Sequence, residues 1–387
     1  MKPSLSGLRQ RGYELRILRG KTLCVETGTE MKRTPLYQAH LAAGAKMGEY
    51  AGFEMPLFYP LGVKQEHLHT RAKVGLFDIS HMLHIEVEGV EAGAMISRLC
   101  PYGAVTQKVG DAKYTFLLNA AAGIIDDLIV TRLADDRFLI VANAGCADKD
   151  LDHIQSCAQN FSVMVNVIER GFLAVQGPKA EVVLTGLGFD VANMTFMTGM
   201  EPKKDWFLSR SGYTGEDGFE IGLPVSELDA FTKSLVAHDD VEWIGLAARD
   251  SLRLEAGLSL YGQDLSEDIS PQEAGLIWAI PKDFRDGGDF IGADALVEEI
   301  TAGRIRMRVG LRADGRPVRG GTILVNAEGL EIGLVTSGGF GPTIDGPMAL
   351  GLVAVVNADA PIFADMKGKF VPMTRVKPPF VPHNYKH

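Results

Sequence analysis

Apolar and polar residues alternate along residues 113–118, 124–133 and 137–142, and this period of two predicts three strands. Asn, Gly and Asp cluster between them at 119–123 and 135–136, where the chain turns. Helical spacing over 90–99 precedes the group, and a helix over about 147–159 closes it as a hairpin-plus-helix unit. A similar unit recurs downstream: residues 205–211 and 218–223 predict a hairpin around 213–217, and 224–237 the next helix. Upstream, residues 34–87 read as mixed α and β, with turn signals at Gly44, Gly48, Gly52 and Pro56 and a strand at 84–87.

Two α+β modules of related shape are therefore expected, although their residue identity is too low to prove a repeat. A further helix over 244–256 places Arg249 and Arg253 one turn apart on one face; a solvated face paired with Asp250 and Glu255 suits the pair as well as a functional one does, and is the reading kept for Arg253. After Gly303 the texture changes to short strands broken by Gly and Pro, which predicts a small all-β C-terminal domain closed as a barrel. The expected class is α+β: residues 31–300 hold the two modules, 301–387 the barrel, and 1–30 an extension or sequence upstream of a true start at Met31.

Composition narrows what such a fold does. Thirty-nine basic against 49 acidic residues leave a net charge of −10, which repels nucleic acid and anionic membranes over most of the surface. No apolar run approaches the length of a bilayer span. Cys24, Cys100, Cys146 and Cys157 show no CxxC pair, which suits reduced structural thiols in a cytosol-like compartment. The basic first thirty residues lack the uninterrupted apolar core of a secretory signal, and Glu14, Glu26 and Glu30 are out of place in a transit peptide.

The candidate chemistry lies in three segments. In Gly123-Ile-Ile-Asp126-Asp127-Leu-Ile-Val130, adjacent carboxylates on a strand point to opposite faces, so one of them meets a pocket and the other solvent or a backbone amide. Spacing alone leaves Asp127 slightly more readable as a surface charge. In Ser211-Gly-Tyr213-Thr-Gly-Glu216-Asp-Gly-Phe-Glu220 the glycines suit a tight turn, but Glu220 falls inside the following strand, where an ionised carboxylate is costly without a partner. The third segment is the Arg249–Arg253 helix. His67, His69, His81 and His84 lack the partners and spacing of zinc ligands, so no metal site is expected. The glycine-dense 337–342 has neither a P-loop lysine nor dinucleotide spacing and reads as turns between strands.

Taken together, Leu76-Phe-Asp-Ile-Ser-His-Met82, the Asp126-Asp127 segment, Asn143-Ala-Gly-Cys146, Gly212–Glu220 and Gly245–Glu255 resemble, in order and spacing, the T-protein family of the glycine cleavage system. The resemblance runs from residue 34 to 385 and departs in detail only at Ala122, where a second glycine is common, and at Phe53, where tryptophan is frequent. It implies a three-domain cloverleaf-like fold with tetrahydrofolate in a central cavity. It also implies Asp127 as the catalytic carboxylate, with Tyr114, Asn143, Phe196, Tyr213, Glu220 and Arg249 as folate-binding residues. The implied reaction is aminomethyl transfer from lipoylated H-protein to tetrahydrofolate, with no metal or flavin, in the cytoplasm or, for a eukaryotic source, the mitochondrial matrix. Two relatives of the same fold compete. A folate-binding maintenance protein of iron–sulfur assembly carries a cysteine in the hairpin, where this chain has Ser211-Gly-Tyr213. Folate-dependent demethylating transferases are fused to a flavin domain, for which this chain has no dinucleotide fingerprint.

Overall fold

The computed structural model describes residues 31–357 and 360–387, so Cys24 and the basic segment before Met31 lie outside the described residues. The three predicted strands form at Ala112–Leu118, Ile124–Ala134 and Arg137–Ala142. They pair antiparallel and extend through Leu83–Glu88 to Met164–Val167, giving a five-stranded sheet. Alternation decides which face each side chain takes. Phe138, Ile140 and Ala142 pack with Met95, Ile96 and Leu99 of the helix Ala92–Leu99 and with Ile154 of the helix Ala147–Ala158. Leu139 and Val141 turn to the opposite face.

The second module repeats the first in order: strand, helix, three strands, helix, strand. Here the elements are Gly171–Gln176, Ala180–Gly186, Thr198–Met200, Phe207–Arg210, Gly218–Leu223, Val225–Val236 and Val241–Trp243. The spatial order of the strands also matches, with one insertion the sequence did not signal. Val74–Asp78, from the upstream segment, lies between Gly171–Gln176 and Val241–Trp243 and makes this sheet six-stranded. Each sheet has helices on one face and meets the other sheet through Leu139, Val141, Phe77, Phe172 and Phe207. Burying each large side chain in that seam contributes about 2 kcal/mol.

The C-terminal strands close into a barrel from Arg306–Ala313 to Lys369–Val376, as the glycine-broken pattern predicts. Residues 337–341, however, are not turns: they finish the long strand Glu331–Gly341, which carries a bulge between Val335 and Ser337. The glycines are there for close approach of backbone. A Cβ on Gly333 would stand 2.1 Å from the Leu352 carbonyl oxygen, and one on Gly338 2.3 Å from that of Val318. Among the described residues no helix is long and apolar enough to cross a membrane.

Arg253 also departs from the sequence reading. It is 1% exposed, and its guanidinium donates to Asp264 at 2.8 Å, Ser337 Oγ at 2.9 Å and the Leu258 carbonyl at 3.1 Å. Asp250 does pair with it, but the face is buried: the helix Leu246–Glu255 is fastened to the strand Glu331–Gly341 by this residue through Ser337 and, two residues on, to the turn after that strand by Glu255 accepting from the Thr343 N–H at 2.8 Å. Helical periodicity alone cannot distinguish a water-facing arginine from one facing an acid eleven residues on in the chain and a serine of the barrel. Arg253→Ala leaves Asp264 buried without its cation, so urea unfolding should show a loss of about 3–5 kcal/mol. A loss below about 1 kcal/mol would show that the buried Arg253 contacts do not fasten the helix.

Candidate active site

Where the two sheets, the helix Leu246–Glu255, the barrel and the last residues of the chain meet, they enclose a cavity of about 1700 Å³. All seven residues singled out in the sequence line it: Tyr114, Asp127, Asn143, Phe196, Tyr213, Glu220 and Arg249.

Asp126 and Asp127 take opposite faces of the strand Ile124–Ala134, as period two requires. Asp127 faces the cavity, whereas Asp126 is 0% exposed and accepts the Asn143 backbone N–H at 3.0 Å. The Asn143 amide Nδ2 then reaches both acids, donating to Asp126 Oδ1 at 2.9 Å and to Asp127 Oδ1 at 3.1 Å and the Asp127 carbonyl at 3.0 Å. Tyr114, on the adjacent strand, donates its hydroxyl to Asp127 Oδ2 at 2.8 Å. Burial, followed by the charge of Asp126, pushes the Asp127 carboxyl up to about 7, even though Tyr114 and Asn143 both favour its ionised form. The result is a positioned carboxylate that exchanges a proton near neutrality.

Across the cavity Glu220 is 7% exposed and has one neutral donor, Ser211 Oγ at 3.0 Å. Burial raises its pKa, while Arg249 and Ser211 draw it back. Arg249 lies over the Tyr213 ring at 4.9 Å and the Phe77 ring at 6.0 Å, and its Nη1 is buried with no hydrogen-bond partner. An orphaned guanidinium nitrogen in a roomy, mostly apolar chamber is a site with donors to spare. Tyr213 is pinned by its hydroxyl to the Ser259 carbonyl, which fixes the ring as a wall.

Four further lining residues carried no sequence signal. Trp278, 68% exposed, stacks on Tyr114 at 6.1 Å and 19°, and Tyr385 stacks on Phe196 at 3.8 Å and 3°. Arg308 enters from a barrel strand with its Nε unpartnered, and Lys149 is held by the Tyr261 hydroxyl at 2.6 Å. Trp278, Arg308 and Tyr385 come from elements far along the chain, Lys149 follows the Asn143–Cys146 segment by three residues, and none stands in a motif. The four histidines do not converge. His67 bonds Glu255 and Ser251, His69 the Asp240 carbonyl, His84 is buried against Phe172, and His81 alone lines the cavity, its pKa lowered to about 4 by burial. Cys100, Cys146 and Cys157 are free and buried, in keeping with structural thiols.

Tyr114→Phe removes a donor to the ionised form of Asp127. Its carboxyl should therefore titrate about half a unit to one unit higher when followed by carbon-13 NMR of labelled aspartate. An unchanged or lower midpoint would show that the Tyr114 hydroxyl does not stabilise the charge.

Residues 36–283 match the GCVT N-terminal domain family, and residues 306–382 the glycine cleavage T-protein C-terminal barrel domain. The mitochondrial aminomethyltransferase of Pisum sativum is 37% identical over 380 residues, covering 94% of this chain and 92% of its own length. That of Homo sapiens is 37% identical over 367 residues, covering 92% and 91%. The crystal structure of the glycine cleavage system aminomethyltransferase T from Bartonella henselae superposes with a TM-score of 0.91 at 49% identity, over 92% of this chain and all of that one.

Proposed function

The chain belongs to the glycine cleavage T-protein family, and from that premise we propose how its own residues carry out the aminomethyl transfer for which its relatives are named. The reaction passes the aminomethyl carbon from the lipoyl arm of H-protein to tetrahydrofolate, giving 5,10-methylenetetrahydrofolate, ammonia and dihydrolipoyl H-protein. The observation that carries the assignment of roles is the convergence of seven motif residues, from separate elements of both modules, on one cavity.

The donor set fits a folate. The cavity offers flat aromatic walls in Tyr213 and Phe196, a buried acceptor in Glu220, and an unpartnered cationic donor in Arg249. Tetrahydrofolate, when bound, supplies the nucleophilic N5 and the neighbouring N10 that together accept the carbon. Glu220, left without a base by the protein, accepts from the adjacent amino and ring N–H donors of a pterin edge and exchanges its desolvation cost for charge-assisted hydrogen bonds. Arg249 donates to a carbonyl or carboxylate of the same ligand. Asn143 and Tyr114 each hold one oxygen of Asp127, so its charge does not wander as the reaction proceeds.

Asp127 has two tasks. Its negative charge lies in a largely water-excluded chamber, where it favours the positive character that develops on the transferred carbon as ammonia leaves. Its carboxyl, titrating near 7, takes the proton of the attacking N5 and returns it to the departing amine as ammonia; ring closure by N10 then breaks the carbon–sulfur bond, and the N10 proton goes to the lipoyl thiolate. Trp278, exposed yet part of the cavity wall, marks the side from which the lipoyl arm enters.

Asp127→Asn keeps the shape of the side chain and should bind tetrahydrofolate within a few-fold of wild type while methylene-tetrahydrofolate formation falls about 10²–10⁴-fold. The wild-type rate should rise with pH through about 7 as Asp127 ionises and then level off, and the variant should lack that limb. Unchanged turnover would sink the assignment. Glu220→Ala should weaken folate binding about tenfold or more by calorimetric titration, the value of a charge-assisted bond. Wild-type affinity would remove Glu220 from the pterin edge.

A further inference from the structure

Behind the cavity wall, on the helix face of the strand Ile124–Ala134, a third acid stands next to Asp126. Asp150 lies in the first turn of the helix Ala147–Ala158, and both carboxyl groups are 0% exposed. An oxygen of each, together with the Cys146 sulfur, falls within 4.8 Å of the others. Asp126 is well supplied, with the Asn143 N–H on one oxygen and the Asn143 amide on the other. Asp150 has nothing: both its oxygens are buried with no protein donor.

Two buried carboxylates at this separation, with no protein cation between them among the described residues, cannot both carry charge. The ammonium of Lys149 is directed to the Tyr261 hydroxyl and Glu267, and the Cys146 thiol is made less acidic by burial and by Asp126. The one arrangement that satisfies every group puts a proton on Asp150. Its carboxyl then becomes a donor to Asp126, which is free to stay an acceptor for Asn143. Burial first, and the Asp126 charge second, move the titration of Asp150 far above the carboxylate range, in the same direction. The opposing pull of the helix N-terminus is weak beside desolvation.

We propose that Asp150 is a positioning residue for the transfer, a neutral carboxylic acid that anchors Asp126, and through Asn143 fixes both the place and the proton affinity of Asp127. The inference rests on Asp127 as the reacting carboxylate. The chain of contacts runs from Asp150 to Asp126 to Asn143 to Asp127, with Tyr114 closing it from the cavity side. Asp150 touches no substrate. By sharing the charge of Asp126 it limits the field that Asp126 exerts on Asp127, and so keeps the Asp127 carboxyl titrating near working pH.

The test compares the full-length wild type with Asp150→Asn and Asp150→Ala. In infrared spectra at neutral pH, recorded in the Asp127→Asn background so that the carboxyl titrating near 7 does not contribute, the protein should show the carbonyl stretch of a protonated carboxylic acid, shifted by carbon-13 labelling of aspartate and lost when Asp150→Asn is added. An amide in that position still donates to Asp126, so Asp150→Asn should keep turnover within about twofold and leave the acid limb of the pH profile in place. Asp150→Ala provides no donor. It should lower turnover about tenfold and move that limb upward by about half a unit to one unit, with tetrahydrofolate affinity within about twofold. A band that survives the added Asp150→Asn, or an unshifted limb with full turnover in Asp150→Ala, overturns the proposal. Normal turnover in Asp127→Asn with the band behaving as expected instead overturns the role of Asp127, and leaves the protonated pair standing.

Discussion

One carboxamide holds the site together. Asn143 ends the strand Arg137–Ala142, and its amide is shared between two acids that the pleat of the next strand sends to opposite sides. Without that bridge, Asp126 and Asp127 would be adjacent charges with separate surroundings, one among helices and one in a cavity. With it, the proton affinity of the cavity acid depends on what lies behind the sheet. Period-two geometry thus gives the molecule a means of tuning a cavity carboxyl from the core, through one hydrogen-bonded residue rather than through a flexible loop.

The same layering explains why the cavity exists. Each sheet spends one face on its own helices and the other on its partner sheet, and the seam of Phe77, Leu139, Val141, Phe172 and Phe207 fills only part of that contact. Toward one end the strands present Tyr114, Asp127 and Glu220 instead of apolar groups, and the sheets do not close. Helix Leu246–Glu255 and the barrel cap the gap, fastened through buried Arg253 and Glu255. The Arg253–Asp264 pair lies at the join, and both partners bond the barrel strand there, Asp264 accepting from the Thr336 and Ser337 hydroxyls and Arg253 donating to Ser337, so directional contacts fix a register that apolar packing alone would leave free to slide.

Most elements within the two modules were legible from periodicity, because a half-buried strand or an amphipathic helix writes its environment into its own residues. The Asp126-Asp127 pair was legible for the same reason: alternation alone sends them apart, and only the family resemblance selected Asp127. Glu220 announced itself as a charge in a strand. Other features were silent because their meaning depends on partners distant in sequence. Arg253 looks solvated until Asp264 and Ser337 fold over it, and glycines 338 and 339 look like a turn until the strands close around them. Val74–Asp78 is apolar enough for either sheet, and nothing local says that it joins the second. Trp278, Arg308 and Tyr385 belong to the cavity only through tertiary assembly.

The cavity groups also share an energetic condition that none shows alone. Glu220 is buried with a hydroxyl where a cation would serve better, the Nη1 of Arg249 has no acceptor, and Asp127 has its carboxyl raised by burial and then by the neighbouring charge. In a structural core each would cost stability with no return, and such groups are rare there. Here the three strains are complementary to one flat ligand with donors on one edge and acceptors on another. Binding such a ligand satisfies Glu220 and Arg249 together. The half-satisfied chamber is therefore preorganised rather than defective: its cost is borne in folding, so that under the proposed roles less remains to be reorganised on binding.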